Sequence, residues 1–229
     1  MPNLSQKILQ YGTVKVVVFD LDGTLYNSER LPIRLIWQNF FQIPTLRTER
    51  EARRNLRGKN YDTQEEFYIH FFAEIGRLHR FRRSVRWLSK WYHGHYLKSM
   101  VRILKRHYKP RPGLTALIEE LRAKGLKCAV YSDYECAEDK LKALKIPLEF
   151  FDAGIYCSQQ FGGLKPSTKS FMRLIEAINS KIGQTTAATL QPPQVLMIGD
   201  RLDTDGGSQQ VGMPFILIPK DLPSFQDEF

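Results

Sequence analysis

Hydrophobic residues follow two different rhythms along this chain. From Val14 to Phe19 the sequence "VKVVVF" is nearly continuous in β-branched and apolar residues, the pattern of a strand covered on both faces. It runs directly into two acidic residues, Asp20 and Asp22, with Gly23-Thr24 behind them. After Asn27 the period lengthens. Ile33, Ile36, Trp37, Phe40 and Phe41 recur at helical spacing, as do Phe67, Phe71, Phe72, Ile75 and Leu78. A third stretch offers Val85, Leu88, Trp91, Tyr92, Tyr96, Ile103 and Leu104. Spacing assigns the aromatics Trp37, Trp87, Trp91, Phe71 and Phe72 mainly to a core, with one or two left over to line a pocket. No strand pattern interrupts this region, which reads as an all-helical insertion with basic outer faces.

"KPRPG", residues 109 to 113, closes the insertion. Strand and helix patterns then alternate. "LTALIEELRAKG" is a helix stopped by Gly125, "LKCAVYS" a strand, and "AEDKLKAL" a helix. "FFDAGIYC" reads as a strand, "STKSFMRLIEAINS" as a helix capped by Ser167 or Thr168, and "QVLMIG" as a strand. "GGSQQVG" is a short helix, "PFILIP" the last strand, and "GQTTAATLQPP" a polar loop. Such alternation predicts an α/β fold, a Rossmann-like doubly wound parallel sheet carrying an inserted all-α domain. The expected domains are a core of residues 1–27 and 110–229 and a helical cap of residues 28–109.

Charge sharpens that division. The 229 residues carry a net charge of +10, yet Ser28 to Lys109 alone holds 19 basic against 7 acidic residues. The remainder is slightly acidic, so the insertion carries the whole excess and suits an anionic partner. No apolar run approaches the ~20 residues that span a bilayer, and the first residues lack the pattern of a signal peptide. Three cysteines without CxxC spacing read as reduced thiols. A cytoplasmic protein with no membrane partner is therefore expected.

In open α/β sheets the ligand crevice lies beyond the carboxyl ends of the strands. Asp20 and Asp22 follow the first strand, Ser132 follows "KCAVY", Asp200 follows "QVLMIG", and Lys165 sits in "FGGLKPS". Together these suit phosphoryl transfer. A carboxylate nucleophile, Asp20, needs its repulsion with a phosphate dianion neutralised. A hard divalent ion on Asp20, Asp200 and a backbone carbonyl would do so, and Lys165 adds a cation. Ser132 offers a hydroxyl to phosphate oxygens, and Asp22 could pass a proton to the leaving oxygen and later take one from water. Gly23 allows the sharp turn behind the pair.

The set resembles the haloacid dehalogenase superfamily, whose four motifs read here "DLDGT", "YSD", "GLKP" and "GDRLDTD", within about residues 12 to 27 and 110 to 219. The resemblance implies a phosphatase-type hydrolase with a helical cap between the first two motifs. It implies Asp20 as nucleophile, Asp22 as general acid/base and Lys165 as charge balance. Phosphate binding falls to Ser132, Thr24 and Lys165, and Mg²⁺ binding to Asp20, Asp22, Asp200 and Asp205. Asp205 would close the metal shell or hold Lys165, and Asp203 is its competitor. Gly206-Gly207 departs from the apolar residue usual after this motif, and the expectation is a looser loop.

The resulting expectation is a Mg²⁺-dependent phosphatase acting on a small phosphorylated metabolite through an aspartyl phosphate. A phosphomutase or other phosphotransferase shares every core residue. An alternative of another class is a nucleic-acid or anionic-surface binding module on an inactive scaffold. "RLHRFRRSVR", Arg77 to Arg86, would carry that reading, but it reads first as a solvated face or an attractor of phosphorylated substrates. "HGH", His93 to His95, has no evident third ligand and is read as a surface or packing pair. Substrate identity and oligomeric state are not legible.

Overall fold

The computed structural model describes residues 3–80, 83–183 and 189–227. Its five strands are β1 (Val16–Phe19), β2 (Lys127–Ser132), β3 (Gly154–Cys157), β4 (Val195–Gly199) and β5 (Phe215–Leu217). They form one parallel sheet in the order β3-β2-β1-β4-β5. Parallel crossovers place helices on both faces, which is why β1 and β4 are buried at every residue. Val17 and Phe19 pack into one core; Val16 and Val18 pack into the other, against Phe171, Leu174 and Ile178. Phe19 stands in register with Val130 and Ile198, so Asp20, Ser132 and Asp200 all emerge at the carboxyl edge of the sheet.

Helix α1 (Leu4–Leu9) precedes β1. Between β1 and β2 come α2 (Leu31–Gln38), α3 (Ile43–Leu56), α4 (Gln64–Leu78), α5 (Val85–Trp91) and α6 (Leu97–His107), then α7 (Leu114–Ala123). A π-helical turn, Tyr92–Tyr96, joins α5 to α6. Helices α8 (Ala137–Ala143) and α9 (Thr168–Ile182) follow β2 and β3. Ser167 caps α9, its side chain accepting from Ser170 N at 3.0 Å. Gly125 ends α7 with a positive φ of 81°. The stretch before β3 folds as a 3₁₀ turn, Leu148–Phe150, so that strand is shorter than its apolar run.

The helical insertion holds one reversal. Phe67, Phe71, Phe72, Ile75, Leu88, Trp91, Tyr92, Tyr96, Ile103 and Leu104 are buried, but Ile33, Ile36, Trp37, Phe40, Phe41 and Val85 are exposed. Helix α2 is apolar on two faces, and polar contacts choose between them. Buried Asn39 donates to Leu35 O at 2.8 Å and to Ser99 Oγ at 3.0 Å, while His95 Nε2 lies 2.7 Å from its Oδ1. Those bonds turn Leu31 and Leu35 inward and Trp37 out. His93 pairs with Glu135 at 3.2 Å, so both histidines of "HGH" serve packing. In the basic stretch, Phe81 and Arg82 lie outside the described residues, as do residues 184–188 of the polar loop. Among the described residues, no helix is long and apolar enough to cross a membrane.

Candidate active site

Asp20 leaves the central strand buried, and its partners come from the loops on either side. Lys165, from the loop before α9, is also buried and places Nζ 2.6 Å from Asp20 Oδ1, 2.6 Å from Asp205 Oδ1 and 3.2 Å from Tyr131 O. Thr24 Oγ1 donates to Asp20 Oδ2 across 3.4 Å, which leaves that oxygen the freer of the two. Burial pushes the Asp20 carboxyl up to about 7 in spite of Lys165, with Asp205 and Asp22 adding to the rise. Burial works against the charge on Lys165, yet Asp20 and Asp205 hold its pKa well above the usual lysine value.

Asp200 lies beside this pair. Gly23, at φ +103°, packs directly against its carboxylate, and a Cβ there would overlap it. Burial and the nearby Asp20 charge lift Asp200 to about 6. Single oxygens of Asp20, Asp200 and Asp205 all lie within 4.8 Å of one another. Asp200 Oδ1 is buried with no hydrogen-bond partner. An orphaned carboxylate oxygen among three converging acidic groups fits a hard cation held by oxygen ligands. Asp203 stands outside, exposed and paired with Arg57 at 3.0 Å and Arg201 at 2.5 Å.

Asp22 presents its carboxylate to a different set of partners. Its carboxylate turns away from the Asp20–Asp200–Asp205 group, to Lys140 Nζ at 2.6 and 2.9 Å and to the Tyr26 hydroxyl, which donates to Oδ1. A buried ammonium attracts the Asp22 carboxylate, whereas three carboxylates already in the cluster would repel it as a fourth. Lys140 was invisible in the sequence, because "AEDKLKAL" reads as an amphipathic helix with surface lysines.

Further residues organise the loops. Buried Arg111, from "KPRPG", donates Nε to Thr24 O at 3.1 Å and Nη2 to Gly23 O at 2.8 Å, clamping the turn after Asp20. Asp133 Oδ1 accepts from Ser158 Oγ at 2.7 Å and Lys165 N at 3.1 Å, tying the second and third motif loops together. Ser132 is buried at the end of β2, and its Oγ accepts from Tyr134 N at 3.2 Å. Gly206 and Gly207 are buried in the 3₁₀ turn Asp205–Val211. Gly207 packs so closely on Pro166 that a Cβ would overlap its ring. From the helical insertion, Arg53 Nη1 donates to Asp133 O at 2.9 Å and Tyr61 N to Gly162 O at 2.7 Å. The insertion thus meets the core beside the site.

A parallel α/β sheet with an acidic cluster and a buried lysine at its carboxyl edge is the arrangement in which a hydrolase of this motif set would hold its site. The model of the haloacid dehalogenase-like hydrolases matches residues 14–208, and the chain belongs to that family. It is 23% identical over 207 residues to the glyceraldehyde 3-phosphate phosphatase of Pyrococcus furiosus, covering 87% of this chain and 78% of that one. Its fold is similar to that of Bacillus subtilis YfnB, solved bound to magnesium, with a TM-score of 0.59 and 18% identity. That match covers 91% of this chain and 90% of the other. Rhodobacter sphaeroides CbbY, solved in complex with phosphate, also gives 0.59 at 18% identity, covering 94% and 90%.

Proposed function

We propose that this hydrolase is a Mg²⁺-dependent phosphatase acting on a small phosphorylated metabolite, with residues 28–109 as a cap on the core of residues 1–27 and 110–229. One observation carries the reading. Asp20 and Asp22, two positions apart, keep opposite company: Asp20 shares Lys165 with Asp205, whereas Asp22 faces Lys140 and Tyr26. Two carboxylates in separate environments suit separate roles, one attacking and one handling protons. The activity of the Pyrococcus relative and the phosphate bound by CbbY support a phosphorylated substrate.

In this mechanism the freer oxygen of Asp20 attacks phosphorus, and the bond to the leaving oxygen breaks. Asp22, entering the step protonated, gives that oxygen its proton and is left as the carboxylate that Lys140 and Tyr26 hold. The phosphoryl group then rests on Asp20, with Ser132, Thr24 and Lys165 around its oxygens. Water attacks the aspartyl phosphate, Asp22 takes its proton, and inorganic phosphate leaves. Asp20 and Asp200, with Asp205 beside them, would hold Mg²⁺, which when bound neutralises repulsion between carboxylate and phosphate. Cap contacts at Arg53 and Tyr61 close the site against bulk water. The test is hydrolysis of p-nitrophenyl phosphate and a panel of phosphorylated metabolites, with Mg²⁺ and with chelator. Activity should vanish with EDTA and return with Mg²⁺; undiminished turnover in excess EDTA overturns the reading.

A further inference from the structure

Among the described residues, the outward face of α2 and the turn after it carry three of the four exposed large aromatic side chains, Trp37, Phe40 and Phe41. Trp37 is 75% exposed and Phe41 96%, and Ile33, Ile36 and Phe40 join them along one stripe. Isolated exposed apolar residues need no explanation, but here five fall within nine positions, and the Phe40 and Phe41 rings touch edge to face. The helix cannot roll to hide them. Doing so would expel Leu31 and Leu35 and break the Asn39 bonds to Leu35 O, Ser99 and His95.

A basic border accompanies the stripe. From Arg30 to Thr48 the chain has Arg30, Arg34 and Arg47 and no acidic residue. Helix α6 packs alongside with Lys98, Arg102, Lys105 and Arg106, again with no acidic residue. Arg102, Lys105, Arg106 and His107 share a cleft with Gln38 of α2. The Phe41 end of the patch lies away from the fourth-motif loop. Helix α3, 14 residues long and so about 21 Å, separates Phe41 from Arg57, where the insertion reaches Asp203 on the core.

We propose that this face docks on the surface of an anionic lipid bilayer, with Trp37, Phe40 and Phe41 entering the headgroup and upper acyl region and the flanking arginines and lysines on the phosphates. Charge decides the occupant. A second copy seated face to face would bring two basic borders together, whereas an anionic bilayer satisfies both the cations and the aromatics. Protruding rings at the end of a convex helix suit insertion into a soft interface better than a preformed groove. On this proposal the chain lies on the bilayer rather than spanning it, in keeping with the lack of a membrane-crossing helix among the described residues. The proposal is independent of the reaction proposed for the core.

The test is flotation of the full chain with vesicles of phosphatidylcholine alone and with added phosphatidylglycerol, alongside a sizing measurement in solution. The chain should float with anionic vesicles and not with neutral ones, with a blue shift in tryptophan emission. Trp37→Ser with Phe41→Ser should lower partitioning at least tenfold, while hydrolysis of p-nitrophenyl phosphate stays unchanged as a check on folding. Replacing Arg102, Lys105 and Arg106 by Gln should weaken binding and its salt dependence. Absence of flotation at low salt overturns the proposal. So does flotation that survives loss of both aromatics, which would mean diffuse adsorption by the basic insertion. A dimer dissolved by the same aromatic substitutions would assign the face to a second copy instead.

Discussion

The ammonium of Lys140 straddles the carboxylate of Asp22, 2.6 Å from Oδ2 and 2.9 Å from Oδ1, across 118 residues of chain. Lys140 is fully buried, and its Nζ also lies 4.3 Å from the centre of the Tyr134 ring. Arg53, from the insertion, sits 4.0 Å from the same ring. The insertion therefore packs against Tyr134, the ring that borders Lys140. Burial disfavours the charge on Lys140, but the Asp22 carboxylate more than offsets it and raises the lysine pKa.

Lys140→Met keeps the volume and removes the charge. Breaking a buried pair leaves the partner uncompensated, and a destabilisation of about 3 kcal/mol is expected, the low end of the range because Asp22 keeps contact with water. A loosened Asp22 should cost about 10²-fold in kcat, with KM for p-nitrophenyl phosphate little changed. Lys140→Arg should recover part of kcat. Steady-state kinetics and thermal melts check both outcomes. Wild-type kcat in a folded Lys140→Met protein would reduce Lys140 to packing for α8.

Protons and Mg²⁺ should compete at the acidic cluster. An ordinary aspartate has a pKa of 3.8, whereas Asp20 stands at about 7 and Asp200 at about 6. Between those values the native state keeps protons that the unfolded chain releases. The metal-free protein should therefore lose stability as pH climbs from about 4 to 7 and change little from this source above that. A cation that binds the ionised carboxylates displaces those protons. The rise in Tm on adding Mg²⁺ should accordingly be larger at pH 8 than at pH 5. Equal gains at both pH values would place the cation away from Asp20 and Asp200.

Gly207→Ala should harm the site through packing. Its Cβ would meet Pro166, next to Lys165, so the turn at Asp205–Val211 and the lysine loop must separate. Overpacking of this kind costs about 1–3 kcal/mol, and kcat should fall as Lys165 shifts between Asp20 and Asp205. Gly94→Ala is the control, since nothing lies within 4 Å of a Cβ there. Urea melts and kinetics on both variants decide the matter; a neutral Gly207→Ala would show that the turn yields without moving Lys165.

The parallel sheet and the strand-end carboxylates were legible because period and position carry them. A near-continuous apolar run marks a doubly covered strand, and a polar residue just past its carboxyl end has one place to go. Two features were not legible, each for a physical reason. Helix α2 is apolar at Leu31 and Leu35 and again at Ile33, Ile36 and Trp37, so period alone cannot choose the inward face; Asn39, Ser99 and His95 do, across about sixty residues. Lys140 occupies an outward-looking position in an amphipathic pattern, and only the fold brings Asp22 to it. Arg111 was masked likewise, reading as part of a proline-rich hinge while it clamps Gly23 O and Thr24 O.

Substituting the two carboxylates separately tests their roles most directly. If Asp20 attacks phosphorus, Asp20→Asn should abolish turnover and any covalent phosphoenzyme. Asp22→Asn should leave phosphorylation possible when the leaving group needs no proton. With an alkyl phosphate the departing alkoxide does need one, and the first half-reaction should slow severely. With p-nitrophenyl phosphate the leaving anion is stable, so phosphorylation should survive while water attack on the aspartyl phosphate loses its base. Loss of such proton transfer costs about 10² to 10⁴ in rate. The expected trace is a burst of nitrophenolate near one equivalent, then a slow steady state. Because Asp22→Asn strands the buried charge of Lys140, the double variant with Lys140→Met supplies the control. A burst in both proteins assigns the effect to proton transfer. Equal defects for both leaving groups and no burst in either protein would leave Asp22 a structural partner of Lys140 and Tyr26.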